Sequence, residues 1–131
     1  MAEERVYYHV VCTVTRAKPV FLNDEIDAAF KRLTREIAQQ QSWSLIELET
    51  MPNHVHLLLE KAPWHDLREI VRYLKGVTAR RLLQQCDWLR ADLNSYHFWN
   101  RSFHYERHTD TSLETVRTYI RNQRRKGGLA D

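Results

Sequence analysis

The sequence predicts an α+β fold, in which helices pack on the faces of an antiparallel sheet. Two segments that alternate in polarity flank Met51-Pro52-Asn53, a pattern typical of a β-hairpin. Other segments, before and after this hairpin, carry apolar residues at helical spacing. The length of 131 residues suits one hydrophobic core, so we predict a single domain over residues 1–131.

The first half of the chain contains three predicted strands and one helix. Residues 7–15, YYHVVCTVT, are β-branched and aromatic, as strand residues are, and Asn23 or Asp24 can cap a helix that runs to Gln41. Residues 43–50 form the first strand of the hairpin. The second strand begins at His54.

The second half is predicted to contain two helices and one strand. Pro63 and Asp66 can open a helix, and a strand lies within residues 98–108. Ser112 can cap a last helix, which carries Tyr119 and is ended by Gly127-Gly128. Residues 86–100 mix aromatic residues with turn formers and receive no firm assignment.

The segment MPNHVHLLLE, residues 51–60, places two histidines one residue apart in a strand. Because strand side chains alternate, His54 and His56 share one face, while Val55, Leu57 and Leu59 can enter a core from the other. Two residues of strand span about 6–7 Å, so the two imidazoles can converge on one divalent ion. The pair alone is a weak signal, since two ordinary histidines fit the same pattern.

Charge is distributed unevenly, although the formal net charge is only +3. Residues 1–61 carry seven Lys and Arg against nine Asp and Glu, whereas residues 62–131 carry thirteen against eight. A polyanion is therefore expected along the second half. The candidate phosphate contacts are Arg68, Arg72 and Lys75 on one helix and Arg121, Arg124, Arg125 and Lys126 after Tyr119.

Four segments in order resemble the single-tyrosine HUH transposases, which comprise the IS200-like insertion-sequence and REP-associated families. They are YYHVVCTVTRAKPVF, MPNHVHLL, LKGVTARRL and TYIRNQ, and together they span nearly the whole chain. The resemblance implies a ferredoxin/RRM-like HUH endonuclease fold. It also implies a DNA transposase that cleaves and rejoins single-stranded DNA, recognises a hairpin and forms a homodimer.

The resemblance assigns roles to particular residues of this chain. Tyr119 would be the nucleophile that forms a covalent 5′-phosphotyrosine, and Gln123 would complete a metal site with His54 and His56. Two imidazoles and an amide oxygen suit Mn²⁺, with Mg²⁺ expected in the cell. Two rivals remain open: a non-catalytic nucleic-acid-binding module, and a metal-dependent phosphodiesterase that uses water.

The chain departs from the family in the segment HYERHTDTS, which lacks a linker glycine, and in Asn122-Gln123, where REP-associated members have Asn-Pro. The branch, and whether Tyr119 acts in its own subunit, therefore stay open. No spacing among His9, His65, His97, His104 and His108 predicts a metal site. Without a long apolar run or a signal pattern, a cytoplasmic protein is expected.

Overall fold

The computed structural model describes residues 5–62, 65–95 and 97–126. Its elements, in chain order, are β1 (Val6–Thr13), α1 (Asp24–Gln41), β2 (Ser44–Met51), β3 (His54–Glu60), α2 (Leu67–Gln85), α3 (Trp88–Leu93), β4 (His104–Thr109), α4 (Leu113–Arg121) and α5 (Gln123–Lys126). The predicted α+β class is confirmed. None of the described helices combines the length and hydropathy of a membrane-spanning segment.

The four strands form one antiparallel sheet in the order β2-β3-β1-β4. The hairpin predicted around Met51-Pro52-Asn53 is confirmed, because β2 pairs with β3 on either side of that turn. The histidine strand β3 lies in the middle of the sheet, between β2 and β1. In the register of β1, Val11 lies opposite His56 on one side and His9 lies opposite Glu106 on the other.

One face of the sheet, which we call the core face, carries most of the apolar packing. Strands β1 and β3 contribute buried residues such as Val10, Cys12, Val55 and Leu57, as their alternation predicts. Helices α1, α2 and α3 pack on this face and add Phe30, Leu74 and Leu89 to the same cluster. The core face therefore supplies most of the hydrophobic stabilisation of the domain.

The opposite face, which we call the histidine face, is covered by α4. A second buried cluster forms here from four residues, Tyr7, Leu58, Val116 and Ile120. Alongside this cluster the strands place five titratable residues on the same face, His9, His54, His56, Glu106 and His108. The small apolar cluster fixes α4 beside a group of titratable side chains.

Helices α1 and α2 begin where the sequence supplies capping residues. The Asn23 side chain accepts a hydrogen bond from the backbone N–H of Ile26 at 3.0 Å, and that of Asp66 accepts from Arg68 N–H at 2.9 Å. These two predicted caps are confirmed, whereas Ser112 stands at the N-cap position of α4 without a side-chain capping hydrogen bond. Pro63, the other predicted helix-opening residue, lies outside the described residues.

The last predicted helix is divided in two. α4 ends at Arg121, Asn122 forms a turn, and α5 begins at Gln123. The apolar stripe stops at Ile120, since residues 121–126 are RNQRRK, so no further apolar side chain holds this segment on the sheet. Gly127-Gly128, the predicted helix stop, lies outside the described residues.

The segment after α2, which received no assignment from the sequence, contributes several buried residues to the core. α3 buries Leu89 and Leu93, and Phe98 and Trp99 are also buried. Trp99 forms an isolated antiparallel bridge with Val14, just after β1. Single-sequence periodicity could not predict this arrangement, because its packing partners lie far away in the chain.

Candidate metal and tyrosine site

The two histidines of β3 lie on the histidine face, as their spacing predicts. The centroids of the His54 and His56 rings are 5.0 Å apart. His54 is half-buried, whereas only 4% of His56 is exposed. The strand begins directly after the turn at Pro52-Asn53, so both rings lie at the beginning of a central strand.

His54 is oriented by the residue before it. Its Nδ1 lies 2.7 Å from Asn53 Oδ1, and an amide oxygen can only accept, so Nδ1 carries the proton. The neutral ring therefore has its lone pair on Nε2. Burial lowers the pKa of His54, which favours the neutral form that a metal ion needs.

His56 has one nitrogen engaged and one without a partner. Its Nδ1 lies 2.8 Å from His9 Nε2, while its buried Nε2 has no hydrogen-bond partner among the described residues. Burial first, then the neighbouring His9 and His54, lower the pKa of His56 to about 3, so the ring is neutral at pH 7. A buried polar atom without a partner costs about 1–3 kcal/mol, so a ligand at Nε2 would remove a real penalty.

Tyr119 lies on α4, next to the rings of His56 and His9. Its ring centroid is 6.2 Å from that of His56 and 6.0 Å from that of His9, both in edge-on arrangements. The neighbouring Val116 and Ile120 are buried, yet 46% of Tyr119 remains exposed. Tyr119 is therefore at the rim of the apolar cluster, where a bulky substrate can reach it.

Gln123 lies near the tyrosine, but its amide points back along the helix. The Nε2 of Gln123 donates to the backbone carbonyl of Tyr119 at 3.3 Å. The turn at Asn122 separates the two residues into α4 and α5. Its side-chain oxygen is not engaged by this bond, so a metal-ligand role for Gln123 remains a prediction.

The predicted phosphate-binding cations fall into two groups. Arg68 and Arg72 are exposed and line a groove of about 760 Å³ between α2 and residues 97–103. Lys75 lines the same groove, but its ammonium group donates to the carbonyls of Asn100 at 2.7 Å and Ser102 at 3.0 Å. Lys75 thus holds the 100–102 segment in place.

Two of the cations that follow Tyr119, Arg121 and Arg124, are engaged with protein groups. Arg121 forms an ion pair with Glu47 at 2.8 Å and keeps half of its side chain exposed. Arg124 donates to the carbonyls of Phe21 at 3.0 Å and Thr50 at 3.1 Å, and it lies 3.4 Å from Asp27. Arg124 therefore fastens α5 to the sheet edge and to α1. Arg125 and Lys126 lie in the same short helix.

The structure reveals a cluster that sequence spacing did not predict. Ligand atoms of His9, Glu106 and His108 lie within 4.8 Å of one another. Glu106 Oε1 is 3.5 Å from His9 Nδ1 and 3.7 Å from His108 Nε2. Burial lowers the pKa of His9, and the charge of Glu106 opposes that shift. The alternation of His104, Glu106 and His108 indicates that these side chains share one face of a strand. Only the pairing of β1 with β4 brings His9 next to them.

Comparisons with known proteins match most of the chain to transposases. The family model described as Transposase IS200 like matches residues 2–123. The ISDra2 transposase TnpA of Deinococcus radiodurans is 31% identical over 119 residues, which are 91% of this chain and 84% of that protein. The transposase for insertion sequence element IS200 of Salmonella typhimurium is 23% identical, over 88% of this chain and 75% of that protein.

Solved structures share the same architecture. A crystal structure from Deinococcus radiodurans R1, of a protein described as a candidate transposase, matches with a TM-score of 0.74 and 30% identity over 93% of both chains. The REP-associated tyrosine transposase bound to a REP hairpin matches with a TM-score of 0.65. That match covers 98% of this chain and 72% of the other at 12% identity, and so concerns the fold alone. The chain belongs to the IS200-like transposase family and has its HUH fold.

Proposed function

We propose that this transposase cleaves and rejoins single-stranded DNA through a covalent 5′-phosphotyrosine on Tyr119. The observation that supports this most is the position of Tyr119, which is half-exposed and edge-on to the His56 ring. A tyrosine needed only for packing would be expected inside the Val116 and Ile120 cluster. Here the phenol instead lies at the border between the apolar cluster and the histidines.

The histidine residues fit a divalent metal ion. His54 and His56 would hold it through Nε2, because both Nδ1 atoms lie at hydrogen-bond distance from protein groups. Gln123 would add an amide oxygen after rotation of its side chain. This donor set contains no thiolate, and imidazole with amide oxygen suits Mn²⁺ or Mg²⁺. Bound there, such an ion would polarise the non-bridging oxygens of the scissile phosphate.

The chemical step follows from the tyrosine. The phenolic oxygen of Tyr119 attacks phosphorus and loses its proton, and the bond from phosphorus to the 3′-oxygen of the preceding nucleotide breaks. That oxygen takes up a proton and leaves as a free 3′-OH. Since the ester to tyrosine retains the bond energy, a 3′-OH can later attack it and rejoin the strand. Hydrolysis by water would not conserve that energy.

DNA contact would use the exposed cations. Arg68 and Arg72 line an open groove and can bind phosphates, and Arg121, although paired with Glu47, keeps half of its side chain exposed. Arg125 and Lys126 remain proposed contacts, whereas Lys75 and Arg124 are occupied by protein acceptors. We propose a hairpin as the recognised element, as the hairpin-bound structural neighbour suggests, and a homodimer as the working unit.

The deciding experiment is a search for the covalent adduct. A labelled single-stranded hairpin incubated with the protein and Mn²⁺ should give a band that survives denaturant, because a phosphotyrosine ester is covalent. Tyr119→Phe should abolish the band and retain binding. Tyr105→Phe is the matched control, since Tyr105 is 57% exposed on β4 but packs against Tyr8 rather than the histidines.

Each rival predicts a different result. A phosphodiesterase that uses water would cleave the DNA without an adduct. A binding module would give only a complex whose affinity falls steeply with salt. An adduct that persists in Tyr119→Phe would place the nucleophile elsewhere and overturn the proposal.

A further inference from the structure

His9 is a buried imidazole that the proposed chemistry does not yet use. It lies on β1 in the middle of the sheet, with 5% of its surface exposed. Its Nε2 is 2.8 Å from His56 Nδ1, and its Nδ1 is 3.5 Å from Glu106 Oε1. The His9 and His56 rings are stacked, with centroids 5.1 Å apart and planes at 28°. His9 therefore connects His56 to a carboxylate on the edge strand.

The positions of the protons follow from the hydrogen bond between the two rings. One ring must donate and the other accept, because two neutral nitrogens at 2.8 Å share one proton. If His56 offers its Nε2 lone pair to a metal ion, its own proton is on Nδ1, and this N–H donates a hydrogen bond to His9 Nε2. His9 then carries its proton on Nδ1, which faces Glu106.

We propose that His9 and Glu106 are positioning residues for the metal ligand His56. The chain His56–His9–Glu106 would fix the His56 tautomer and ring orientation, so that Nε2 presents a lone pair to the ion. Carboxylates and other acceptors behind metal-bound histidines serve this purpose generally. This inference rests on the metal site of the proposed function and extends it by two residues.

A second metal ion held by His9, Glu106 and His108 is the alternative use of the same groups. It needs the lone pair of His9 on Nδ1, so His9 would donate from Nε2 to His56 Nδ1. His56 would then carry its proton on Nε2, a buried atom with no acceptor among the described residues. The two arrangements exclude each other, and the buried Nε2 of His56 favours the positioning chain.

The tautomer can be measured without metal or DNA. In ¹⁵N-labelled protein, two-bond ¹H–¹⁵N correlations distinguish a protonated from an unprotonated ring nitrogen. We expect neutral His56 with its proton on Nδ1, and neutral His9 also with its proton on Nδ1. A proton on His56 Nε2 would overturn the proposal.

Metal affinity gives the second measurement, with Mn²⁺ alone as the probe in calorimetric titration. His9→Leu removes the acceptor and should weaken Mn²⁺ binding about 10–100-fold, as loss of an outer-shell partner usually does. His9→Gln places an amide oxygen near the former Nε2 and should recover most of that loss. Glu106→Gln, at an exposed position, should weaken binding by less, about threefold to tenfold.

His108→Ala is the matched control. It removes a member of the three-residue cluster but leaves the chain His56–His9–Glu106 intact, so the Mn²⁺ affinity should stay at the wild-type value. Two ions per chain that fall to one in His108→Ala would overturn the chain in favour of a second metal site. Wild-type Mn²⁺ affinity in a folded His9→Leu protein would also overturn it.

The outcome is separable from that of the proposed function. If no adduct forms while His9→Leu weakens Mn²⁺ binding, the phosphotyrosine mechanism fails and the positioning chain stands. If the adduct forms but His9→Leu binds Mn²⁺ like the wild type, the chain fails and the mechanism stands. Should His9→Leu not fold, the His56 tautomer and the exposed Glu106→Gln variant still decide.

Discussion

The core face and the histidine face of the sheet differ in what their buried groups do. On the core face, three helices bury a continuous apolar cluster against β1 and β3. On the histidine face, the described residues form a small buried cluster of four under α4, beside titratable groups that include His56, whose Nε2 has no hydrogen-bond partner in the described part of the chain. Because strand side chains alternate, the same strands supply both faces. Stability and chemistry can therefore be changed separately by substitutions at adjacent positions.

The largest expected effect is on the histidine face. His56→Ala, like His54→Ala, should eliminate metal-dependent cleavage because one of the two proposed imidazole ligands is lost, while hairpin affinity stays within about tenfold of wild type if the phosphate contacts persist. Gel assays of cleavage and binding on one labelled hairpin measure both. Full cleavage by the double variant would refute the metal assignment.

A mixing experiment tests whether the histidine face is completed within one chain. α4 is held to its own sheet by Val116 and Ile120 and by ion pairs from Arg117 and Arg121 to Glu47. We therefore expect no recovered cleavage when a His54→Ala chain is mixed with a Tyr119→Phe chain, with the dimer verified by mass. Recovered cleavage would mean that the tyrosine helix is exchanged between subunits.

On the core face, substitution of Leu57, the residue next to His56, should change stability rather than chemistry. Leu57→Ala removes a side chain that is only 1% exposed and should lower the free energy of unfolding by about 2–5 kcal/mol. Adduct formation at a temperature where the variant is folded should persist. Chemical denaturation and the adduct assay measure the two quantities. A folded Leu57→Ala protein without adduct would show that the faces are not separable.

Two arginines extend the comparison to charge. Arg124→Met removes the donor that bonds the carbonyls of the buried residues Phe21 and Thr50 and should cost roughly 1–3 kcal/mol of stability. Arg72→Ala, on an exposed helix position, should change stability by about 0.5 kcal/mol or less. If Arg72 contacts a phosphate, its variant should reduce the slope of log affinity against log salt by about 1. A loss of stability in Arg72→Ala together with a smaller salt slope in Arg124→Met would make Arg72 the structural residue and Arg124 the phosphate contact.

The strands and their faces could be predicted because the local pattern decides them. Val55 and Leu57 alternate with His54 and His56, and a turn at Pro52-Asn53 precedes them, so orientation needed no distant partner. The roles of Lys75 and Arg124 could not be predicted, since their acceptors are backbone carbonyls at least 25 residues away. His9 was missed for the same reason, because strand pairing alone brings it to His56 and Glu106.

The smallest expected effect concerns Gln123, the proposed third ligand. In the structure its amide donates to the Tyr119 carbonyl, so metal binding requires a rotation that gives up one exposed hydrogen bond. Such a bond is worth about 0.5–1.5 kcal/mol, which makes Gln123 a weaker contributor than either histidine. Gln123→Ala should therefore reduce cleavage mainly at low Mn²⁺ concentration and approach wild-type rates at saturation. Gln123→Glu supplies a carboxylate oxygen at the same place and should shift the Mn²⁺ titration to lower concentration. If both variants titrate like the wild type, Gln123 is not a ligand, and two histidines alone hold the ion on the protein side.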